Sequence, residues 1–244
     1  FILAIGLLDD FVARNLICDK IKRIRKDEFM KQIKKEPQAP RLPLALETVV
    51  LTSALAAQEK LIGLEINDDL WPEEKALGKE FSECRLTKVT MAAISEKTYF
   101  VDVIFDHCDF SNCQLSESTL RRVVFDHCRM TGADLSRCVL QDVVFLNCAL
   151  DYSNFAFSSF KSCRFADCIC TQSSFSEGKF TAFEIQRCKL DESEFFHSHL
   201  NGVDLSTCTI EGIALCGDEL KGVIVNPSQA VDLARVLGSV IKEE

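Results

Sequence analysis

The sequence predicts a solenoid of four-sided coils, and three observations predict it. From Phe100 to Val225 every fifth residue is apolar, 26 positions without exception, 11 of them Phe. Two residues before these centres stands a small side chain (Cys, Ser, Val, Thr, Ala or Gly) in 23 of the 26 cases, with Phe183, Ile213 and Asp218 as the exceptions. A second period of 20 overlies the first: Cys108, Cys128, Cys148, Cys168, Cys188 and Cys208 keep one phase of it, and Val103, Val123, Val143, Val203 and Val223 another. A step of five fits neither the 3.6-residue period of a helix nor the two-residue period of a strand. A short fixed repeat is the mark of a solenoid. Four five-residue sides per turn then place each residue on its equivalent in the next coil.

This pattern resembles the pentapeptide-repeat proteins. The resemblance implies an all-β solenoid, a right-handed quadrilateral β-helix with a bulky residue at each centre and a small one two places earlier. Four segments are expected: an N-terminal extension over 1–29, a leader and cap over 30–78, the β-helix over 79–225 and a C-terminal helix over 226–244.

Taken in order, FILAIGLL is an apolar run closed at once by Asp9 and Asp10. It is too short to span a bilayer and lacks the basic start of a signal peptide. Phe11, Val12, Leu16, Ile17, Ile21 and Ile24 then alternate with Lys20, Lys22, Arg23, Arg25 and Lys26 at helical spacing, which would suit a membrane surface or a partner. The plainer reading takes Met30 as a natural start and residues 1–29 as an upstream extension. Pro37, Pro40 and Pro43 impose an extended leader. Leu44–Leu64 reads as a short irregular cap over the first coil, whose open sheet edge needs cover. Repeats are expected to begin at Phe81, Leu86 and Met91. Met91 to Phe100 is nine residues rather than ten, so a kink or bulge is expected around Ala93–Lys97.

After Val225 the pattern becomes helical. Asn226 is a candidate cap, Pro227 suits the first helical position and Gln229 stands three residues after the cap. Ala230, Leu233, Ala234, Leu237 and Ile241 form one apolar stripe, widened by Val236 and Val240. Part of that stripe closes the last coil. The rest suits a homodimer, with Leu233, Val236, Leu237, Val240 and Ile241 as its interface.

LKGVIVNPSQAVDLARVLGSVI, DYSNFAFSSF at 151–160 and ESEFF at 192–196 resemble the Qnr type of pentapeptide-repeat protein, in its loop-free Gram-positive form. That resemblance runs from about Met30 to the C-terminus. It implies a dimeric mimic of duplex DNA that binds DNA gyrase or topoisomerase IV and protects them from fluoroquinolones. Geometry is compatible: residues 98–225 and the units before them make a rod of ~35 Å at ~4.8 Å per coil, close to one turn of B-DNA.

Charge narrows the face. The whole chain carries 37 acidic and 28 basic residues, net −9, which disfavours direct binding to nucleic acid or anionic lipid. Sorted by place in the 20-residue turn, one corner holds Asp134, Asp151, Asp191, Glu192, Glu194 and Glu211 and no Lys or Arg, with Tyr152 upon it. These seven residues are the expected partner-binding face. The opposite corner carries Arg121, Arg122, Lys161, Arg164 and Lys221.

Ten of the 13 cysteines occupy the small inward site, where a thiol packs as a compact hydrophobe. That position argues against disulfides and metal sites and suits a reducing, cytoplasmic setting. His107 and His127 recur in two FDHC units, 20 apart, and read as solvated side chains rather than a proton relay or metal site. No phosphate loop or nucleophile elbow appears, so no enzyme activity and no cofactor are expected. The alternative to topoisomerase binding is a scaffolding solenoid or a toxin-immunity protein with another partner.

Overall fold

The computed structural model describes residues 36–57, 60–71, 79–91 and 97–242. The chain divides into two units, 1–34 and 35–244, and only the second falls within these residues. The expected N-terminal extension lies outside them.

Among the described residues ten strands form one wholly parallel ladder. β1 (Glu47–Thr48), β2 (Lys60–Ile62), β3 (Leu64–Asn67), β4 (Glu80–Ser82) and β5 (Arg85–Thr87) are short, and β6 (Tyr99–Asp106), β7 (Thr119–Asp126), β8 (Val139–Leu146), β9 (Ser159–Ala166) and β10 (Lys179–Gln186) have eight residues each. Phe100 pairs with Leu120 and Phe105 with Phe125, a step of 20 residues. An eight-residue strand therefore covers two consecutive sides of a coil. The other two sides meet their neighbours through single bridges, such as Asp109 to Arg129 to Ala149 and Gln114 to Asp134 to Asn154.

The corners follow from the same spacing. Two residues after nearly every centre the backbone turns left-handed, at φ between 49 and 61° for 22 non-glycine residues among those described. Each such corner is costly for an L-residue. Repetition makes it tolerable, because every corner is bonded to those above and below: the N–H of Tyr152 reaches the carbonyl of Thr171 at 3.0 Å, and that of Gln172 reaches Asp191 at 3.0 Å.

The centres fill the coil. Phe105, Phe125, Phe145 and Phe165 are fully buried and stack at centroid spacings of 4.9, 4.9 and 4.5 Å, while Phe155, Phe175 and Phe195 stack at 5.1 and 5.0 Å. Those spacings match the distance between paired strands. The small inward side chains do more than fill space. Cys138 donates to the Leu115 carbonyl at 3.0 Å, Ser158 to Leu135 at 2.8 Å and Ser198 to Phe175 at 2.7 Å, so Ser and Cys are interchangeable at a site with a carbonyl always in reach. Burial pushes the thiols up, to about 12 at Cys138 and Cys163 and to about 11 at Cys84.

Phe183, one of the three exceptions to the small-site rule, is compensated. Its ring is buried 4.6 Å from Phe180, which is only half-buried and folds over Gly178, where a Cβ would lie 2.7 Å from its ring. A large side chain at one small site is thus offset by glycine at another.

The ladder starts a coil earlier than the repeats expected at Phe81. Leu61 pairs with Phe81, Ile66 with Leu86 and Leu70 with Thr90, so Leu61, Ile66 and Trp71 already serve as centres. Phe81 pairs with Phe100 and Thr90 with Asp109, a step of 19. One residue is therefore missing from the coil between Thr90 and Tyr99. The kink expected around Ala93–Lys97 lies outside the described residues except for Lys97. The cap is more regular than expected: β1 pairs with β3, and a helix, Leu51–Ala57, buries Leu51, Ala54 and Leu55 over the first coil.

At the other end, Asp218–Leu220 form a 3-10 turn that interrupts the repeat at the Asp218 exception. Glu219 is buried there, and its carboxylate accepts from the backbone N–H groups of His197, Cys216 and Gly217 at 2.7 to 3.0 Å. Burial alone would raise its pKa, but these bonds and that from its own N–H outweigh burial and hold it below the ordinary value. The C-terminal helix spans Pro227–Val236, with a reciprocal capping box between Asn226 and Gln229. Gln229 is buried and donates to the carbonyls of Leu205 and Cys208, both at 2.8 Å, so the cap residue also seals the last coil. The helix is shorter than the 226–244 expected. Gly238 at φ 85° accepts the left-handed stop, with its N–H on Arg235 and that of Ser239 on Ala234, both 2.9 Å.

Phe155 touches its stack on several sides, so Phe155→Ala should cost about 3–5 kcal/mol, measured by urea unfolding. Cys148→Ser should cost no more than about 1 kcal/mol, because the Phe125 carbonyl stands 3.5 Å from the sulfur.

Candidate partner-binding face

The bridges from Gln114 through Asp134, Asn154, Ser174 and Glu194 to Ala214 align one column, and the corner beside it carries Asp151, Asp191 and Glu211. The ladder therefore brings the expected residues onto one face. Glu192, Glu194 and Glu211 are exposed, Asp134, Asp151 and Asp191 are half-buried, and Tyr152 is 63% exposed at φ 59°.

Their local bonding differs. Asp134 accepts from the N–H of Ser136 at 2.9 Å, and Asp191 accepts from Thr209 at 2.8 Å and from the Glu211 N–H at 2.9 Å. Glu192 accepts from Gln172 at 2.6 Å. Asp151, Glu194 and Glu211 make no side-chain hydrogen bond or ion pair among the described residues. The charge is concentrated: Asp191, Glu192 and Glu194 share one corner, and Glu211 stands on the next coil. Phe157 is exposed on the adjacent corner under the Arg137 guanidinium, 5.6 Å from its ring centre, and enlarges the aromatic part of this face.

Only three of the five bases expected on the opposite corner stay on its surface. Arg122 is buried and bonds Asp102 through two nitrogens, its Nε at 2.6 Å, and Arg164 is buried against Glu184. Burial raises the pKa of Glu184 despite the attraction of Arg164. Asp102, Asp142 and Glu184 lie in the same columns as the arginines, so counting only the bases there overstated the charge. Arg121, Lys161 and Lys221 remain exposed. The leader explains part of this burial. The Gln38 N–H donates to Asp142 at 3.2 Å and the Arg41 N–H to Asp102 at 2.9 Å, so the proline-rich segment runs across several coils.

At the C-terminal end the five expected interface residues separate. Leu233 is buried in the chain's own core, and Ile241 is half-buried. Val236, Leu237 (56%) and Val240 (96%) are exposed together with Val231.

Residues 98–168 match the family model of the pentapeptide repeat region. The chain carries a pentapeptide repeat region. Solved structures similar to the chain include HetL, a pentapeptide repeat protein involved in heterocyst differentiation regulation in the cyanobacterium Nostoc sp. strain PCC 7120, at 16% identity over 72% of this chain and 94% of HetL, TM-score 0.31. Full-length QnrB1, a plasmid-mediated fluoroquinolone resistance protein, matches at 14% identity over 74% of this chain and all of QnrB1, TM-score 0.30. No curated protein matches the sequence. Among the described residues no helix is long and apolar enough to cross a membrane.

Asp142→Ala should free the leader from the repeat without touching the inward columns. Amide exchange at Gln38 should accelerate at least tenfold while the β7 and β8 amides keep their protection, as read by hydrogen-exchange mass spectrometry.

Proposed function

We propose that this protein acts as a mimic of duplex DNA that binds a type II topoisomerase, DNA gyrase or topoisomerase IV, and protects it from fluoroquinolones. The partner is the one implied by the Qnr-type resemblance. The observation that supports the reading is the segregated acidic corner, where three exposed glutamates and three aspartates stand without a Lys or Arg. A groove that holds phosphates with Arg and Lys attracts such a face at long range, and added salt weakens the attraction. Over residues 98–225 there are 18 acids and 10 bases, against ~20 phosphates on ~35 Å of duplex. Mimicry of this kind depends on where the charge lies rather than on its sum.

Replacing Asp191, Glu192, Glu194 and Glu211 by their amides leaves the buried columns intact. Binding to the enzyme and protection in a supercoiling assay with fluoroquinolone should fall together, by tenfold or more. Full protection by this variant, with protection abolished by Arg121→Glu and Lys161→Glu, would assign the contact to the other side. Failure of the parent protein to bind either enzyme would favour a scaffolding role with a different partner.

The reading includes a homodimer joined through the exposed apolar surface of Val236, Leu237 and Val240. Leu237→Asp should shift the protein to monomer in sedimentation velocity at an unchanged urea midpoint. A parent protein that sediments as a monomer refutes this assembly.

A further inference from the structure

Pro37, Pro40 and Pro43 recur at every third residue of the leader, and each is half-buried while Gln38, Ala39 and Arg41 are exposed. Proline fixes its own φ and holds the residue before it extended, so six of the eight residues over 36–43 are held in an extended, proline-type backbone. The other two, Gln38 and Arg41, are bonded to the solenoid. The Gln38 N–H donates to Oδ1 of Asp142 at 3.2 Å, and the Arg41 N–H to Oδ1 of Asp102 at 2.9 Å. Their side chains also meet, with Arg41 Nη2 donating to Gln38 Oε1 at 3.3 Å. Residues three apart therefore share one edge of the leader. A polyproline II helix, with three residues per turn, has that property, whereas in a strand such residues point to opposite sides.

The solenoid offers acceptors at the matching interval. Val101, Arg121 and Gln141 pair in successive strands, so Asp102 on β6 and Asp142 on β8 stand two coils apart with Arg122 of β7 between them. Two coil steps of ~4.8 Å make ~9.6 Å. One turn of polyproline II advances ~9.3 Å. The receiving column is set in advance, because Asp102, Arg122 and Asp142 are all buried and Arg122 grips Asp102 through two nitrogens. Ser162 and Ala182 continue the column without a carboxylate, so the site reads a single turn.

We propose that the column of Asp102, Arg122 and Asp142 is a binding site for a polyproline-type peptide with proline at every third residue, and that the leader is its resident ligand. A peptide of the same spacing enters when the leader lifts. Both N–H groups donate to charged acceptors, which strengthens the bonds, and a proline-rich backbone loses little freedom on binding. Recognition runs through the backbone and the prolines, so the exposed side chains at Gln38, Ala39 and Arg41 are free to vary.

The test uses full-length protein carrying Gln38→Pro and Arg41→Pro, which removes both N–H donors and keeps a proline-type backbone. NMR relaxation at Ala39 should show the leader released, and the urea midpoint confirms the fold. Titration with a synthetic peptide of residues 36–44 should then produce saturable shifts at the amides of Asp102 and Asp142. The parent protein should bind this peptide at least tenfold more weakly, because its own leader competes. Asp142→Ala in the released variant should weaken binding at least tenfold, as should an alanine inserted after Ala39 of the peptide. A peptide with Gln38→Ala and Arg41→Ala keeps both N–H groups and should bind as the natural one does. A leader that stays ordered without its two N–H groups, no peptide binding up to millimolar concentration, or equal binding of the peptide with the inserted alanine overturns the proposal.

Discussion

The structure depends on one constraint: every residue must sit on its equivalent in the next coil, so that one backbone ladder joins all coils. A centre can hold Phe, Leu or Met, since each stacks on a similar neighbour. An inward small site can hold Cys or Ser, since a carbonyl 23 residues earlier accepts from both, Leu115 from Cys138 and Leu135 from Ser158. Departures are compensated close by, as the Phe183 ring is by the missing side chain of Gly178.

Such a ladder is stable within and vulnerable at its ends, where the last coil presents unpaired backbone. The two ends are closed differently. At the N-terminal end Leu51, Ala54 and Leu55 lay an apolar helix face over the first coil. At the C-terminal end polar side chains do the work. Glu219 supplies an acceptor to three backbone N–H groups where the 3-10 turn interrupts the ladder, and Gln229 supplies donors to two carbonyls of the last complete coil. Leu233 then fills the space between them and the core.

The rigid interior frees the outward positions to carry chemistry in columns. Stacking multiplies whatever it aligns: like charges gather on the acidic corner, imidazoles on the FDHC column, and alternating charges pair, as Arg187 does with Asp167 at 2.7 Å. A column is therefore the natural unit of recognition in this fold. Its properties depend on the order of residues at 20-residue intervals rather than along the chain.

The repeat, the coil length and the identity of the core were legible in the sequence, because inward positions obey a strict period that local residue types reveal. Asn226, Pro227 and Gln229 announced the C-terminal helix, and Gly238 would have announced its end had it been read as a left-handed stop. Leu61, Ile66 and Trp71 keep the step of five that leads to Phe81, so the same period could have placed them as centres. Exposure of the outward residues was different. Arg121 and Arg122 share one corner, yet Arg122 is buried with Asp102 while Arg121 faces solvent. Which outward charge stays free depends on partners 20 residues away and on a leader held from Gln38 and Arg41, contacts that exist only once the coils are stacked. The period determined what lies inside the solenoid, and tertiary packing decided what its surface shows, because burial of an outward side chain is set by neighbours distant in the chain.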